Sequence, residues 1–175
     1  MMKTNMKFFS LSTLIVFIGL TASAQQNGGY SKGDNLVNVG IGINSYYSGG
    51  IPFGASYEKG ITDDISVGGN FDYLSHDYLT LKFTAIYFGA RGSYHFNNLL
   101  KITSNKVDIY GGATLGYRSF SWSNDGQSLG DDYGSGIFLG AYVGGKYYFG
   151  DRIGGFAELG ATGSTNARLG VAFKF

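Results

Sequence analysis

From Leu36 to Phe175 the chain alternates apolar residues with small or polar ones. A period of two restricts it to β-strands whose two faces meet different surroundings. The clearest segment sets Leu169, Val171, Phe173 and Phe175 against Arg168, Gly170, Ala172 and Lys174. Seven earlier segments follow the same rule. Val37, Val39, Ile41 and Ile43 oppose Asn38, Gly40, Gly42 and Asn44; Phe53, Ala55 and Tyr57 oppose Gly54, Ser56 and Glu58. Ile65, Val67, Phe71 and Tyr73 oppose Ser66, Asn70 and Asp72. Ile86, Phe88, Ala90, Tyr94 and Phe96 oppose Tyr87, Gly89, Arg91, Ser93 and His95. Val107, Ile109, Ala113, Leu115 and Tyr117 oppose Asp108, Tyr110, Thr114 and Arg118. Ile137, Leu139, Ala141, Val143, Tyr147 and Phe149 oppose Gly140, Tyr142, Gly144, Lys146 and Tyr148, and Ala157, Leu159 and Ala161 oppose Glu158 and Gly160. Eight segments of roughly 8–12 residues match the length a tilted membrane-crossing strand requires.

Composition agrees with strands and tight turns. There are 30 Gly, 14 Tyr and 14 Phe but a single Pro. Cysteine is absent, which excludes disulfides, zinc–thiolate sites and thiol nucleophiles. The formal charge is +1, and without Lys3 and Lys7 the remainder carries 11 bases against 12 acids. That balance argues against a nucleic-acid partner, which needs a basic excess.

Residues 1–24 read as a cleaved secretory signal. Lys3 and Lys7 form the basic start, Leu11 to Leu20 the apolar run, and Ala22-Ser23-Ala24 the small-residue cleavage site. Residues 25–35 read as a polar, flexible lead-in, and 36–175 as the barrel. No later segment has the 18 or so uncharged apolar residues of a membrane helix.

Alternation does not say which face is outside. A soluble, lipocalin-like barrel would turn its apolar face inward around a ligand. Two features favour the opposite sense. The polar face is mostly Gly, Ser and Asn with scattered charges, which suits a narrow, crowded interior rather than a solvated surface. Aromatic residues gather near strand ends, at Tyr46, Tyr47, Tyr57, Tyr94, Phe96, Tyr117, Tyr147, Phe149, Phe173 and Phe175, where rings with a polar edge favour a membrane–water boundary. In lipid, the sheet must then close, because an open edge leaves backbone groups unpaired.

The terminal Val171-x-Phe173-x-Phe175 resembles the C-terminal assembly signal of outer-membrane β-barrels. With the leader and the eight alternating segments, the whole mature chain resembles the small eight-stranded outer-membrane barrels, the OmpX-like and OmpA-barrel-like proteins. The resemblance implies an all-β, eight-stranded, antiparallel up-and-down transmembrane barrel in the outer membrane of a Gram-negative cell. It implies folding by the barrel assembly machinery, both termini in the periplasm, and a wall against membrane lipid and lipopolysaccharide. A monomer is the expected state.

On that arrangement the outer loops are Ser45 to Ile51, Ser75 to Thr80, Ser123 to Ser135 and Gly163 to Asn166. The inner turns are Ile61 to Asp64, Asn97 to Lys106 and Gly150 to Gly154. The Asn97 to Lys106 turn is longer, and the last outer loop shorter, than the family pattern. Around Leu81-Lys82-Phe83 the alternation has the opposite parity, which a bulge or an excursion above the membrane would explain.

The same register sends nine charges inward: Glu58, Asp72, Arg91, Asp108, Arg118, Lys146, Glu158, Arg168 and Lys174, with His95 near the inner rim. A dry, isolated charge costs several kcal/mol, so these must pair or stay hydrated. Glu158 and Arg168 lie on the hairpin-joined strands either side of the Gly163–Asn166 turn and are expected to be cross-strand neighbours. An ion-pair network plugging the barrel is one outcome; a narrow, water-filled, porin-like channel, favoured by the many inward glycines, is the other.

Chemistry elsewhere is sparse. His76-Asp77 could suggest a rim protease, but sequence neighbours on a strand point apart. His76 with Ser75 is too little for a lipid-acylating rim enzyme. Asn124-Asp125-Gly126 with Asp131-Asp132 lacks EF-hand spacing for Ca²⁺, and Gly68-Gly69 and Gly144-Gly145 lack the Lys-Ser/Thr of a phosphate loop. No catalytic residue, metal site or cofactor is expected. Phe120 and Trp122 are expected to anchor in the interface or brace the long loop. The expected role is structural, or surface interaction through the outer loops, chiefly Trp122 to Gly136.

Overall fold

The computed structural model describes residues 29–47, 49–79, 81–124, 127–130 and 134–175. The signal segment lies outside them, as do Asp125, Gly126, Asp131 and Asp132. Nine strands form one antiparallel sheet: β1 (Asn35–Ser45), β2 (Phe53–Gly60), β3 (Ile65–Tyr78), β4 (Leu81–His95), β5 (Val107–Asn124), β6 (Gln127–Gly130), β7 (Gly136–Tyr148), β8 (Ile153–Gly160) and β9 (Thr165–Lys174). Sequential neighbours pair from β1 to β5 and from β7 to β9. The pairings β5–β7 and β1–β9 complete the ring. Eight strands are staves of a closed up-and-down barrel, and β6 folds back on the end of β5. Closure leaves no open edge around the wall. At the seam, the Asn35 amide donates to the Phe175 carbonyl at 2.7 Å, and the Phe175 amide returns the bond at 3.1 Å.

The period-two faces sort as lipid outside and polar inside. Val171 and Phe173 are 43% and 36% exposed on the outer wall, beside Ile41, Phe71, Phe88, Leu115 and Leu139. Glu58, Asp72, Arg91, Asp108, Lys146, Glu158 and Arg168 are all buried inside. This overturns the soluble ligand-binding barrel, which needs the reverse assignment.

Three local expectations change. Of the two explanations for the parity shift at Leu81–Phe83, the bulge is excluded, because β3–β4 and β4–β5 pair without a break in register, while the stretch does lie beyond the last β2–β3 pair, at Tyr73. Phe83, Ala85 and Tyr87 stay on the inner face, which simply turns from polar to aromatic at this height. The loop expected from Ser75 to Thr80 is instead mostly strand, since Tyr78 pairs with Leu81 and Leu79 forms the tip in a left-handed conformation (φ 57°). The long loop is also shorter than expected, because β5 runs to Asn124 and β6 pairs back along it.

The lead-in is the fourth correction. From Gly29 on it is seated, not flexible. Tyr30 is 3% exposed, and Lys174 Nζ donates to the Gly29 carbonyl at 3.2 Å. Gly33 donates to Gly60 and Gly60 to Asp34, at 3.0 and 2.8 Å. Tying the segment to strand ends satisfies its backbone groups.

Candidate functional site

The inner face carries three polar clusters, two of them linked through Ser66. In the middle, the Arg91 guanidinium lies between two carboxylates, with Nε 2.9 Å from Glu58 Oε1 and Nη2 3.0 Å from Glu158 Oε2. Four strands position these groups: β2, β4 and β8 supply the charges, and β7 supplies Tyr142, whose ring lies 4.1 Å from Arg91 Cζ. Ser66 and Ser93 donate to Glu58 Oε2 at 2.8 and 2.6 Å, and Tyr110 donates to Glu158 Oε2 at 3.2 Å. Each carboxylate thus accepts charge-assisted hydrogen bonds.

Toward the end that carries the lead-in, Asp108 accepts from His95 Nδ1 at 2.7 Å and from Lys146 Nζ at 3.2 Å. His95 Nε2 is 2.9 Å from Ser66 Oγ, which joins this cluster to Glu58. Tyr30 stacks on the imidazole, with ring centroids 3.5 Å apart. Its hydroxyl sits between the carbonyls of Thr62 and Ile65, at 2.8 and 2.6 Å. Toward the opposite end, Arg168 pairs with Asp72, and Asp72 also holds the Ser164 hydroxyl and accepts from the Ser164 amide at 2.9 Å. Thr114 donates to Asn70 at 2.7 Å, and Asn70 donates to the Thr162 carbonyl at 2.9 Å.

Seven of the nine inward charges therefore meet an opposite charge. Glu158 and Arg168 are register partners, but their side chains part: Glu158 turns to Arg91 and Arg168 to Asp72. Arg118 and Lys174 stand apart from the ion pairs. Arg118 Nε donates to the Gly134 carbonyl at 3.0 Å, at the far end of β5. Lys174 rests over the Tyr148 ring at 4.7 Å and holds the lead-in. Neither of the two reaches a carboxylate among the described residues.

The inward glycines are sockets for bulky neighbours rather than open space. A Cβ at Gly54 would lie 2.5 Å from Arg168 Cζ, and one at Gly144 would lie 2.6 Å from the Tyr110 ring. Eight strands leave an interior that side chains can fill, and here glycine on one strand admits a large group from the next.

The end opposite the lead-in is apolar inside. Leu74, Phe83, Ala85, Tyr87 and Phe120 form a buried cluster, packed by Tyr47, Trp122 and Phe138. Tyr47 and Tyr87 share a hydrogen bond of 2.6 Å. Phe120 and Trp122 belong to this inner cluster, which corrects the interface alternative expected for them; the other, bracing the long loop, fits Phe120, whose amide donates to Ser135 Oγ at 2.9 Å. Ring pairs at 4.8–6.0 Å suit edge-to-face and tilted aromatic packing.

Chemically, the nearest approach to a catalytic arrangement is Ser66–His95–Asp108, which has the contacts of a nucleophilic triad. The Ser66 proton goes to Glu58, and Ser66 and Asp108 are fully enclosed while Tyr30 covers the imidazole. No reacting atom can approach that hydroxyl in this arrangement. Among the described residues no group of His, Cys, Asp and Glu side chains is placed to hold a metal ion. His76 and Asp77 occupy successive positions of β3, opposite Phe83 and Lys82 respectively.

Sequence reasoning missed Tyr30, Ser66, Ser93 and Ser164 as partners of the charges. Tyr110, Tyr142 and Tyr148 were legible as inward residues by their parity, but not as hydrogen-bonding and ring partners.

No protein-family model matches the chain, and a search of curated proteins finds no match. Solved structures do share its fold. The N-terminal β-barrel domain of Pseudomonas aeruginosa OprF superposes with a TM-score of 0.60 at 18% identity, covering 83% of this chain and all of that one. Neisserial surface protein A gives 0.53 at 20% identity, over 81% and 95% of the two chains. Ail, the attachment invasion locus protein of Yersinia pestis, gives 0.52 at 16% identity, over 82% and 99%. The fold is that of the small transmembrane barrels.

Proposed function

We propose that this protein is an integral outer-membrane barrel, with both termini in the periplasm, a closed lumen, and a non-catalytic role in structure or surface contact. The observation that carries the reading is the inversion of the two faces: an apolar wall outside and paired charges within. Only a lipid surround makes that arrangement favourable, since the exposed wall would otherwise hydrate a large apolar area. The wall meets membrane lipid and lipopolysaccharide, and Val171, Phe173 and Phe175 serve the barrel assembly machinery during insertion of a monomer. The end distant from the lead-in is the cell surface, where the connections of β1–β2, β3–β4, β5–β7 and β8–β9 present the contact sites. The neighbours include one named for attachment and one named a surface protein, which is in keeping with this role.

The lumen is closed twice, by the Tyr30 lead-in at one end and by the Phe83–Phe120 cluster at the other, with ion pairs between. Planar-bilayer recording of the refolded protein tests this. A silent membrane is expected; discrete, reproducible openings would overturn the plug. The narrow channel remains a second reading on one observation. Asn38 Oδ1, Glu158 Oε1 and Arg168 Nε are buried inside with no hydrogen-bond partner among the described residues, so internal water is the natural complement to them.

A further inference from the structure

The turn between β4 and β5 is the longest at the lead-in end, and the barrel itself does not require it. Its first part is a hydrogen-bonded turn: the Leu100 amide donates to the Phe96 carbonyl at 2.8 Å, and the Ile102 amide to the Asn97 carbonyl at 2.9 Å. Asn97 locks the loop to β5, donating to the Val107 carbonyl at 2.6 Å and accepting from the Ile109 amide at 2.9 Å. Asn98 ties it to the neighbouring turn through Asp64 at 2.8 Å. The loop is held in shape, yet it presents Leu99 at 66% and Leu100 at 56% exposure.

We propose that this turn is a membrane anchor, with Leu99 and Leu100 set into the headgroup boundary of the phospholipid leaflet on the lead-in side. The inference rests on the membrane reading above. Two features identify the occupant. The leucines follow the outer apolar wall directly in the chain, since the Leu100 amide bonds to the carbonyl of Phe96, whose ring packs on the exposed Tyr94 at 5.1 Å as an aromatic pair of the boundary belt. The turn also carries two bases, Lys101 and Lys106, and no acid, and both bases are exposed. A pair of leucines flanked by lysines fits lipid phosphates above and acyl carbons beneath. A protein partner would have to leave the adjoining wall in lipid while covering the turn.

The chain has no cysteine, so single sites can be spin-labelled without background. Leu99→Cys and Leu100→Cys are labelled in protein refolded into phosphatidylcholine–phosphatidylglycerol vesicles, with Phe88→Cys on the wall and Asp151→Cys in another turn as references. Collision with oxygen relative to a water-soluble nickel chelate reads depth. The expected ratio at Leu99 and Leu100 is several-fold above that at Asp151 and below that at Phe88. Ratios equal to Asp151, with Phe88 still lipid-like, overturn the anchor alone; a water-like Phe88 overturns the membrane reading itself. If a leucine variant does not refold, Trp122→Phe with Leu100→Trp serves instead. Quenching of its emission by lipids brominated near the glycerol supports the anchor, and unquenched, water-like emission refutes it.

Discussion

The ring of Tyr30 lies within 2° of parallel to that of His95, at a centroid distance of 3.5 Å. One residue of the lead-in thereby caps the buried His95–Asp108–Lys146 cluster. Replacing it should release the segment. Tyr30→Ala is expected to cost about 3–5 kcal/mol, the range for truncating a large buried ring. Urea unfolding in micelles measures the loss, and hydrogen exchange should rise for residues 29–34 before it rises in the strands. Unchanged exchange there would count against the cap.

Arg91 neutralises two carboxylates at once. Arg91→Ala leaves Glu58 and Glu158 buried with only hydroxyl partners, and should cost about 3–5 kcal/mol. Adding Glu58→Gln and Glu158→Gln should recover part of that loss, because the repulsion between the orphaned charges disappears. A triple variant no more stable than the single one would refute the ion-pair account.

Asp34 precedes β1 and accepts the Ser31 amide at 2.9 Å. Burial is the larger influence on its carboxyl and raises it above the ordinary carboxylate value, with Lys174 acting in the opposite sense. A raised folded value means the seated lead-in favours the protonated form. The contribution is complete below the ordinary value and is lost as pH rises through the raised one. Protection of residues 29–34 should therefore weaken from acidic toward neutral pH, and Asp34→Asn should remove that dependence.

Phe120 lies at the centre of the aromatic closure, between Tyr47, Phe83 and Tyr87. Phe120→Ala should destabilise the barrel by about 3 kcal/mol, with a cavity that neighbouring strands cannot collapse to fill. If the two closures act in series, Phe120→Ala alone should stay silent in a planar bilayer. Openings in the Phe120→Ala variant by itself would refute two closures in series.

The strand faces were legible because a lipid wall and a crowded interior impose opposite residue choices at successive positions. Val171 and Phe173 against Arg168 is that rule in three residues. Partner choice was not legible. Glu158 and Arg168 share a register position, yet each bonds across the lumen, and cross-lumen geometry depends on the stagger and tilt of the whole ring. The bulge offered for Phe83 was superfluous for a different reason: periodicity reports which residues share a face, not what that face encloses at each height. The lead-in looked featureless because Gly29 and Tyr30 have no periodic context, and their anchors, Lys174 and His95, are remote in sequence.

β3 continues through five residues, from Leu74 to Tyr78, beyond its last pairing with β2, and β5 through six beyond its last pairing with β7. Strands advance about 3.4 Å per residue, so a ledge of continuous sheet, roughly 15–20 Å tall, rises on one side of that mouth. Its backbone is already fixed by ladder bonds to β4 and β6. A molecule arriving at this end meets a pre-shaped parapet, and the ordering entropy that a loose connection forfeits on contact has here been surrendered during folding.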